Sequence, residues 1–282
     1  MDLTFFKITV VLYLGASVSY LAFLLISKAT RATPAFVLSI LGFATHSLSI
    51  MHRAIFSGFF PFATPFDSVS FFAWIVVGLF LLLRFSVASP VFGAFATPLA
   101  SVMLLYGSTL AYQTKAPLIP VLVSLWLPVH VVLAIAGHGV FALMAVGGLM
   151  YLWQERLIKR KRINRLHRLL PSLDTLDTMN RHGLAFGFFL LTLGIITGAM
   201  WAGSAWGSYW SWDPKETASL VTWFAYAAMV HQRLVLGWRG RRAAWLAIFG
   251  FGLVMCTFLG VSALLEGHHS FERIAAATVQ GK

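Results

Sequence analysis

The sequence predicts an all-α polytopic membrane protein with about eight transmembrane helices, and three observations carry that prediction. Hydrophobic residues fill 59% of the 282 positions and charged residues only 11%, with a mean hydropathy of +0.82. A soluble domain of this size needs more charge to cover its surface. Apolar runs of about 18 residues or more recur, each long enough to cross a bilayer. Strand-like alternation is missing, which argues against a membrane β-barrel.

The runs fall at roughly 4–26, 34–54, 67–86, 90–111, 126–153, 182–201, 215–235 and 243–265, inside one integral-membrane domain, 1–282. The first has no basic n-region and no small-residue cleavage site, so it reads as a retained helix and not as a signal peptide. The second carries His46 in mid-span, and the third and fourth are apolar runs without further signals. In the fifth, His130 lies about one turn from the start and His138 about 18 Å from it. The sixth contains Gly194 and Gly198 in GIITG, a spacing that suits close helix approach. The seventh opens on Asp213 as N-cap, Pro214 at the first helical position and Glu216 at N3, the pattern of a capping box. The eighth holds the single cysteine, Cys256, read as a small buried apolar residue. No disulfide or C-x-x-C redox pair can form within the chain. No internal repeat or low-complexity tract interrupts the series.

Lysine and arginine set the orientation. The stretch 154–181 holds Arg156, Lys159, Arg160, Lys161, Arg162, Arg165, Arg168 and Arg181; Lys28 and Arg31 follow the first span, and Arg239, Arg241 and Arg242 the seventh. With alternating spans these loops share one face, which is therefore cytoplasmic, and both termini lie outside. The net charge of +12 is then a topology signal and a match to anionic lipid. Nucleic-acid binding is a poor reading of basic residues confined to short juxtamembrane loops.

On the opposite face the sixth and seventh spans are joined by 202–216, which includes WGSYWSWDPKE. An interfacial aromatic belt followed by a helix cap accounts for part of it. Trp201, Trp206, Tyr209, Trp210 and Trp212 crowd more closely than a belt requires, while Gly203, Gly207 and Ser208 keep the loop slim. His130 and His269 approach the same depth, from the fifth span and from just beyond the eighth. Two imidazoles beside an aromatic shelf suit haem, whose iron takes two axial imidazoles and whose ring needs apolar, stackable walls. The alternative is a pair of solvated interfacial histidines. Lys215 either meets a haem propionate or stays solvated. His46 and His138 form a second ligand pair or each hydrogen-bond a neighbouring helix, since imidazoles at that depth are costly to leave unpaired. Nothing singles out His52, His167 or His182.

These residues resemble the CcsA/ResC family of cytochrome c biogenesis proteins, which carry a tryptophan-rich "WWD" segment. The likeness is close from about 180 to 271 and looser at 125–141 and 57–74. It implies that His130 and His269 are external axial ligands of haem iron. His231 resembles a membrane-embedded histidine holding haem in transit; about 27 Å of helix separates it from Asp213. Trp206, Tyr209, Trp210, Trp212 and Asp213 resemble the haem platform. Also implied are haem b as cargo, a separate CcsB/ResB-like membrane partner, an apocytochrome c acceptor, a thiol-reducing partner and a bacterial-type cytoplasmic membrane. Three departures stand out: Ala218 where the motif continues with tryptophan, ATPFDS with Phe59 in place of a histidine, and His268 beside His269. The implied activity is haem delivery for thioether attachment to C-x-x-C-H motifs, as a subunit of a cytochrome c synthase. A haem exporter without ligation activity and a haem-binding assembly factor are the competing classes.

Overall fold

A computed structural model describes residues 3–26, 32–57, 64–87, 89–110 and 124–260, without the side chain of Trp206. His268, His269 and Phe59 lie outside the described residues. Within them the regular elements are helices: α1 (Thr4–Leu25), α2 (Thr33–Ser57), α3 (Pro65–Ser86), α4 (Gly93–Thr109), α5 (Trp126–Lys159), α6 (Arg165–Leu169), α7 (Leu173–Trp206), α8 (Pro214–Leu234) and α9 (Arg241–Met255), the last continued by a π-helical turn, Cys256–Gly260. Six of them are long and apolar enough to cross a membrane: α1, α2, α3, α5, α7 and α9 with its π turn. Their outward faces are apolar, with Val11, Val18, Leu82 and Phe249 exposed, as lipid contact requires. The chain is an integral membrane protein of the polytopic, all-helical kind. α4 is only 17 residues long, with Pro98 inside it, and α8 carries Lys215, Glu216, His231 and Arg233.

Hydropathy understates the two longest helices. α5 and α7 each run for 34 residues, about 50 Å of helix against about 30 Å of hydrocarbon. α5 continues to Lys159 and α7 begins at Leu173, so the stretch expected as a basic loop is largely helical, with α6 between them. Polar helix turns persist there because their ends are capped. The His167 N–H donates to Asn164 Oδ1 at 3.0 Å and the Thr175 N–H to Ser172 Oγ at 3.1 Å. At its other end α7 runs to Trp206 and stops at Gly207, whose φ of 74° is left-handed. That leaves Gly207 to Asp213 as the non-helical part of the aromatic segment.

Two hydrophobic clusters hold the bundle. The larger joins α1, α3, α4 and α5 through Tyr13, Tyr20, Phe72, Phe80 and Phe92. The smaller joins α5, α7, α8 and α9 through Phe141, Leu191, Tyr226 and Val254, with the Phe141 and Tyr226 rings stacked at 3.7 Å. α5 packs most extensively on α7, and Gly137, Gly187 and Gly194 lie along that seam, where an added Cβ would meet the facing helix.

Polar ties fasten each end. At the basic end Arg165 donates to the Ile26 carbonyl at 2.7 Å and Ser89 to the Leu169 carbonyl at 2.8 Å. There Arg233 of α8 grips Asp177 of α7 through Nη1 to Oδ1 at 2.9 Å and Nη2 to Oδ2 at 2.5 Å, while the Gly240 N–H donates to the same carboxylate at 2.7 Å. At the other end Arg53 of α2 forms a buried ion pair with Asp67 of α3. Thr64 and Asp67 complete a capping box on α3 with Pro65 at its first position. One expectation is corrected: Cys256 is exposed, because it falls on the outward side of the turn where α9 changes to π geometry.

Candidate functional site

The site is built where α5 begins, α7 ends and α8 begins. His130 projects from the first turns of α5 onto α7. Its Nδ1 lies 2.7 Å from the Gly194 carbonyl oxygen, a group that only accepts, so Nδ1 carries the proton and donates. The remaining ring nitrogen, Nε2, then bears the lone pair, and its direction is set by that bond. The ring lies parallel to Trp201, with an interplanar angle of 7° and centroids 6.5 Å apart; Trp201 itself is buried. A Cβ at Gly198 would fall 2.7 Å from His130 Nδ1 and 2.8 Å from Cε1. Gly198 is therefore the seat of the imidazole, beyond the helix packing that its spacing suggests. Spacing within one helix cannot show this, because the ring it receives comes from another.

Beyond α7 the chain turns through the aromatic segment. Tyr209 lies across Gly203, where a Cβ would stand 2.6 Å from its ring. Trp210 and Trp212 meet edge to face at 5.8 Å. Tyr209 and Trp212 are exposed, and Trp212 has a left-handed backbone, φ 58°, a costly conformation for a bulky residue. One carboxylate holds this turn in place. Glu216 Oε2 accepts from the Ser211 N–H at 2.8 Å, the Ser211 hydroxyl at 3.1 Å and the Asp213 N–H at 3.3 Å. Asp213 is buried and caps α8, accepting the Lys215 N–H at 2.8 Å, and the capping box with Pro214 forms as the spacing predicts.

Below this level lie the deeper imidazoles. His46 is fully buried, with Nε2 2.9 Å from Ser70 Oγ and Nδ1 3.3 Å from Tyr13 Oη. Both nitrogens are engaged with neighbouring helices, the second of the two expectations. His138 differs. Its Nδ1 is enclosed and has no hydrogen-bond partner, while its ring meets the edge of Phe258 at 5.6 Å. His130 and Lys215 are both close enough to His138 to act on it electrostatically. The π turn joins this region, since the Thr257 and Thr222 hydroxyls lie 2.8 Å apart and Thr222 also donates to the Ala218 carbonyl at 2.9 Å. π turns of this kind recur at functional sites.

His231 stands apart, exposed near the far end of α8, two residues before the Arg233 anchor. The structure thus gathers His130, Trp201, Tyr209, Trp210, Trp212 and Asp213 at one end and places His231 at the other. The side chain of Trp206 and all of His269 lie outside the described residues.

The comparisons with known proteins decide the family. Residues 63–269 match the Cytochrome C assembly protein family. The cytochrome c biogenesis protein CcsA of Guillardia theta is 35% identical over 252 residues, covering 83% of each chain. The chain belongs to the CcsA cytochrome c biogenesis family. The CcsA protein of Microcystis aeruginosa is 35% identical over 267 residues, covering 78% of this chain and 81% of that one. That of a Synechococcus strain, RCC307, is 34% identical over 281 residues, covering 89% of each. Among solved structures the cytochrome c haem lyase CcmF superposes with a TM-score of 0.66 at 16% identity, covering 97% of this chain. The chain spans 49% of the length of that structure, and the likeness is one of fold. As a CcsA-family member this protein serves cytochrome c biogenesis, and its family implies the handling of haem.

Proposed function

We propose that this chain holds haem b at its aromatic end and presents it for covalent attachment to apocytochrome c, as the membrane subunit of a cytochrome c synthase. The observation that carries the reading is His130: one nitrogen tied to Gly194 O at 2.7 Å, its ring parallel to a buried tryptophan. With Nδ1 committed to Gly194 and the ring seated against Gly198, Nε2 is the nitrogen suited to bind iron. In this reading His130 Nε2 binds the iron on one face and His269 on the other. Trp206, Tyr209, Trp210 and Trp212 wall the ring and leave its vinyl edge reachable, and Asp213 keeps the platform anchored to α8. His231 takes haem at the opposite end of the membrane.

Haem supplies the vinyl groups. Each acceptor thiol adds across one vinyl, forming a C–S and a C–H bond as the S–H bond and the C=C π bond are lost. No electron is gained or lost, so the thiols must arrive reduced, which calls for a thiol-reducing partner. The protein contributes orientation, a term worth up to roughly 7–11 kcal/mol in well-aligned reactions. Indole has no useful acid–base chemistry, so the tryptophans act as walls.

The wider assignment is one domain, 1–282, of eight spans in a bacterial-type cytoplasmic membrane. The aromatic segment and both termini face outward, and a CcsB/ResB-like protein completes the enzyme. The test is co-expression of chain, partner and a C-x-x-C-H acceptor in a host without its own assembly system. Covalent haem on the acceptor, lost in His130→Ala, supports the reading. Bound haem without covalent product leaves an exporter or an assembly factor in its place.

A further inference from the structure

The Gly194 carbonyl that holds His130 is not reserved for it. Thr197, three residues further along α7 and 8% exposed, reaches the same oxygen with its hydroxyl at 3.1 Å. That hydroxyl also lies 2.7 Å from the Leu193 carbonyl, the back-bond to the preceding turn that threonines make in helices. Back-bonding accounts for the Leu193 contact. It does not require the second acceptor to be the oxygen on which an imidazole from α5 rests at 2.7 Å. A carbonyl oxygen has two lone pairs. Gly194 lies inside α7, so one of them is directed along the helix toward the amide four residues on. His130 Nδ1 and the Thr197 hydroxyl are left to share the other. Two donors on one acceptor weaken each other, because both draw on the same electron density.

We propose that Thr197 is a positioning residue that sets how strongly His130 grips iron. By competing for the Gly194 carbonyl it limits the Nδ1–H bond, and that bond governs how much electron density Nε2 offers a metal. A fully committed Nδ1–H makes the imidazole a stronger donor, which favours ferric over ferrous iron; a shared carbonyl shifts the balance the other way. The Thr197 hydroxyl has one proton and two acceptors, so its claim on Gly194 is partial and leaves His130 the nearer donor. The result is a ligand held in one tautomer yet kept below its full donor strength, which suits a site that must pass its haem on. This inference rests on the haem-binding reading above and gives that site a residue the reading does not use.

The experiment takes two readouts on the purified full chain in detergent. In the haem-free protein with isotope-labelled histidine, the magnetic resonance signal of the His130 Nδ1 proton, assigned by its loss in His130→Gln, reports the strength of the bond to Gly194. Thr197→Val, which keeps the side-chain shape and removes the hydroxyl, should move that signal downfield, and Thr197→Ala should move it the same way. Thr197→Ser restores the hydroxyl and should return it to the wild-type position. In the protein loaded with haem, a potentiometric titration followed by the visible bands should show a lower midpoint in Thr197→Val. At the wild-type midpoint the ferric-to-ferrous ratio of that variant should be about threefold higher, the scale of one neutral hydrogen bond, with Thr197→Ser at the wild-type ratio. A purely structural role for Thr197 would lower thermal stability and move neither readout. A proton signal unmoved in both Thr197→Val and Thr197→Ala would overturn the sharing of the carbonyl, and an unmoved midpoint would overturn its effect on iron. Failure of the wild-type chain to bind haem would overturn the underlying reading, and it is told apart because the proton signal is read without haem.

Discussion

At the scale of single residues, the account depends on how one imidazole is held. His130 donates through Nδ1 to the Gly194 carbonyl, and the ring fits only because Gly198 has no side chain. Gly198→Ala should therefore displace the ring at an overpacking cost of about 1–3 kcal/mol and lower haem occupancy at least several-fold. The haem-to-protein ratio of the purified variant measures this, with Gly252→Ala, where an added Cβ meets nothing within 4 Å, as a control expected to match wild type. Glu216 offers a second residue-scale test. It gathers three donors from Ser211 and Asp213, each worth about 0.5–1.5 kcal/mol net. Glu216→Ala should release the turn Gly207 to Asp213, seen as faster amide exchange there while the exchange of α5 and α7 stays as in wild type.

At the scale of elements, α7 and α8 are fixed to each other by a polar clamp at the basic end and by side-chain bonds between them in the bundle. Asp177 and Arg233 are both shielded, with side-chain exposures of 18% and 6%, and the same carboxylate receives the Gly240 N–H at the entry to α9. Removing one member leaves the other charge without its partner in a dry place, a loss of about 3 kcal/mol for a buried pair. Arg233→Met should lower the thermal stability of the purified protein, whereas Lys159→Met, at an exposed pair, should change it by less than about 1 kcal/mol. Trp223 Nε1 donating to Thr192 Oγ1 at 2.9 Å ties the same two helices in mid-bundle, so the Arg233 variant should still insert and fold.

At the scale of the whole molecule, the alternation of apolar spans and basic loops predicts a single orientation. In a Cys256→Ser background, Ser208→Cys should react with a membrane-impermeant maleimide added outside intact cells. Arg160→Cys should react only after the membrane is opened. Labelling of both from outside would invert or break the proposed topology.

What the sequence makes legible follows the range of the interaction concerned. The all-helical membrane class rests on composition, and the α8 cap at Asp213, Pro214 and Glu216 rests on neighbours three residues apart, so both can be read directly. Helix ends were hidden because hydropathy reports the apolar middle, while α5 and α7 continue as polar, capped helix. The Gly198 seat, the Asp177–Arg233 clamp and the unpaired state of His138 were also hidden. Each depends on a partner from a distant part of the chain, and a single sequence carries no signal for such pairs. Cys256 reads as buried in the sequence yet is exposed, since lipid-facing and core-facing residues are equally apolar in a membrane helix.

The central claim is that His130 binds haem iron through Nε2. Its most direct test is the visible spectrum of the reduced, purified protein carrying His130→Gly, before and after addition of free imidazole. Wild type should show bis-histidine bands, which should be lost in the variant and restored when imidazole occupies the vacated position. Bands that persist unchanged in His130→Gly would contradict the account.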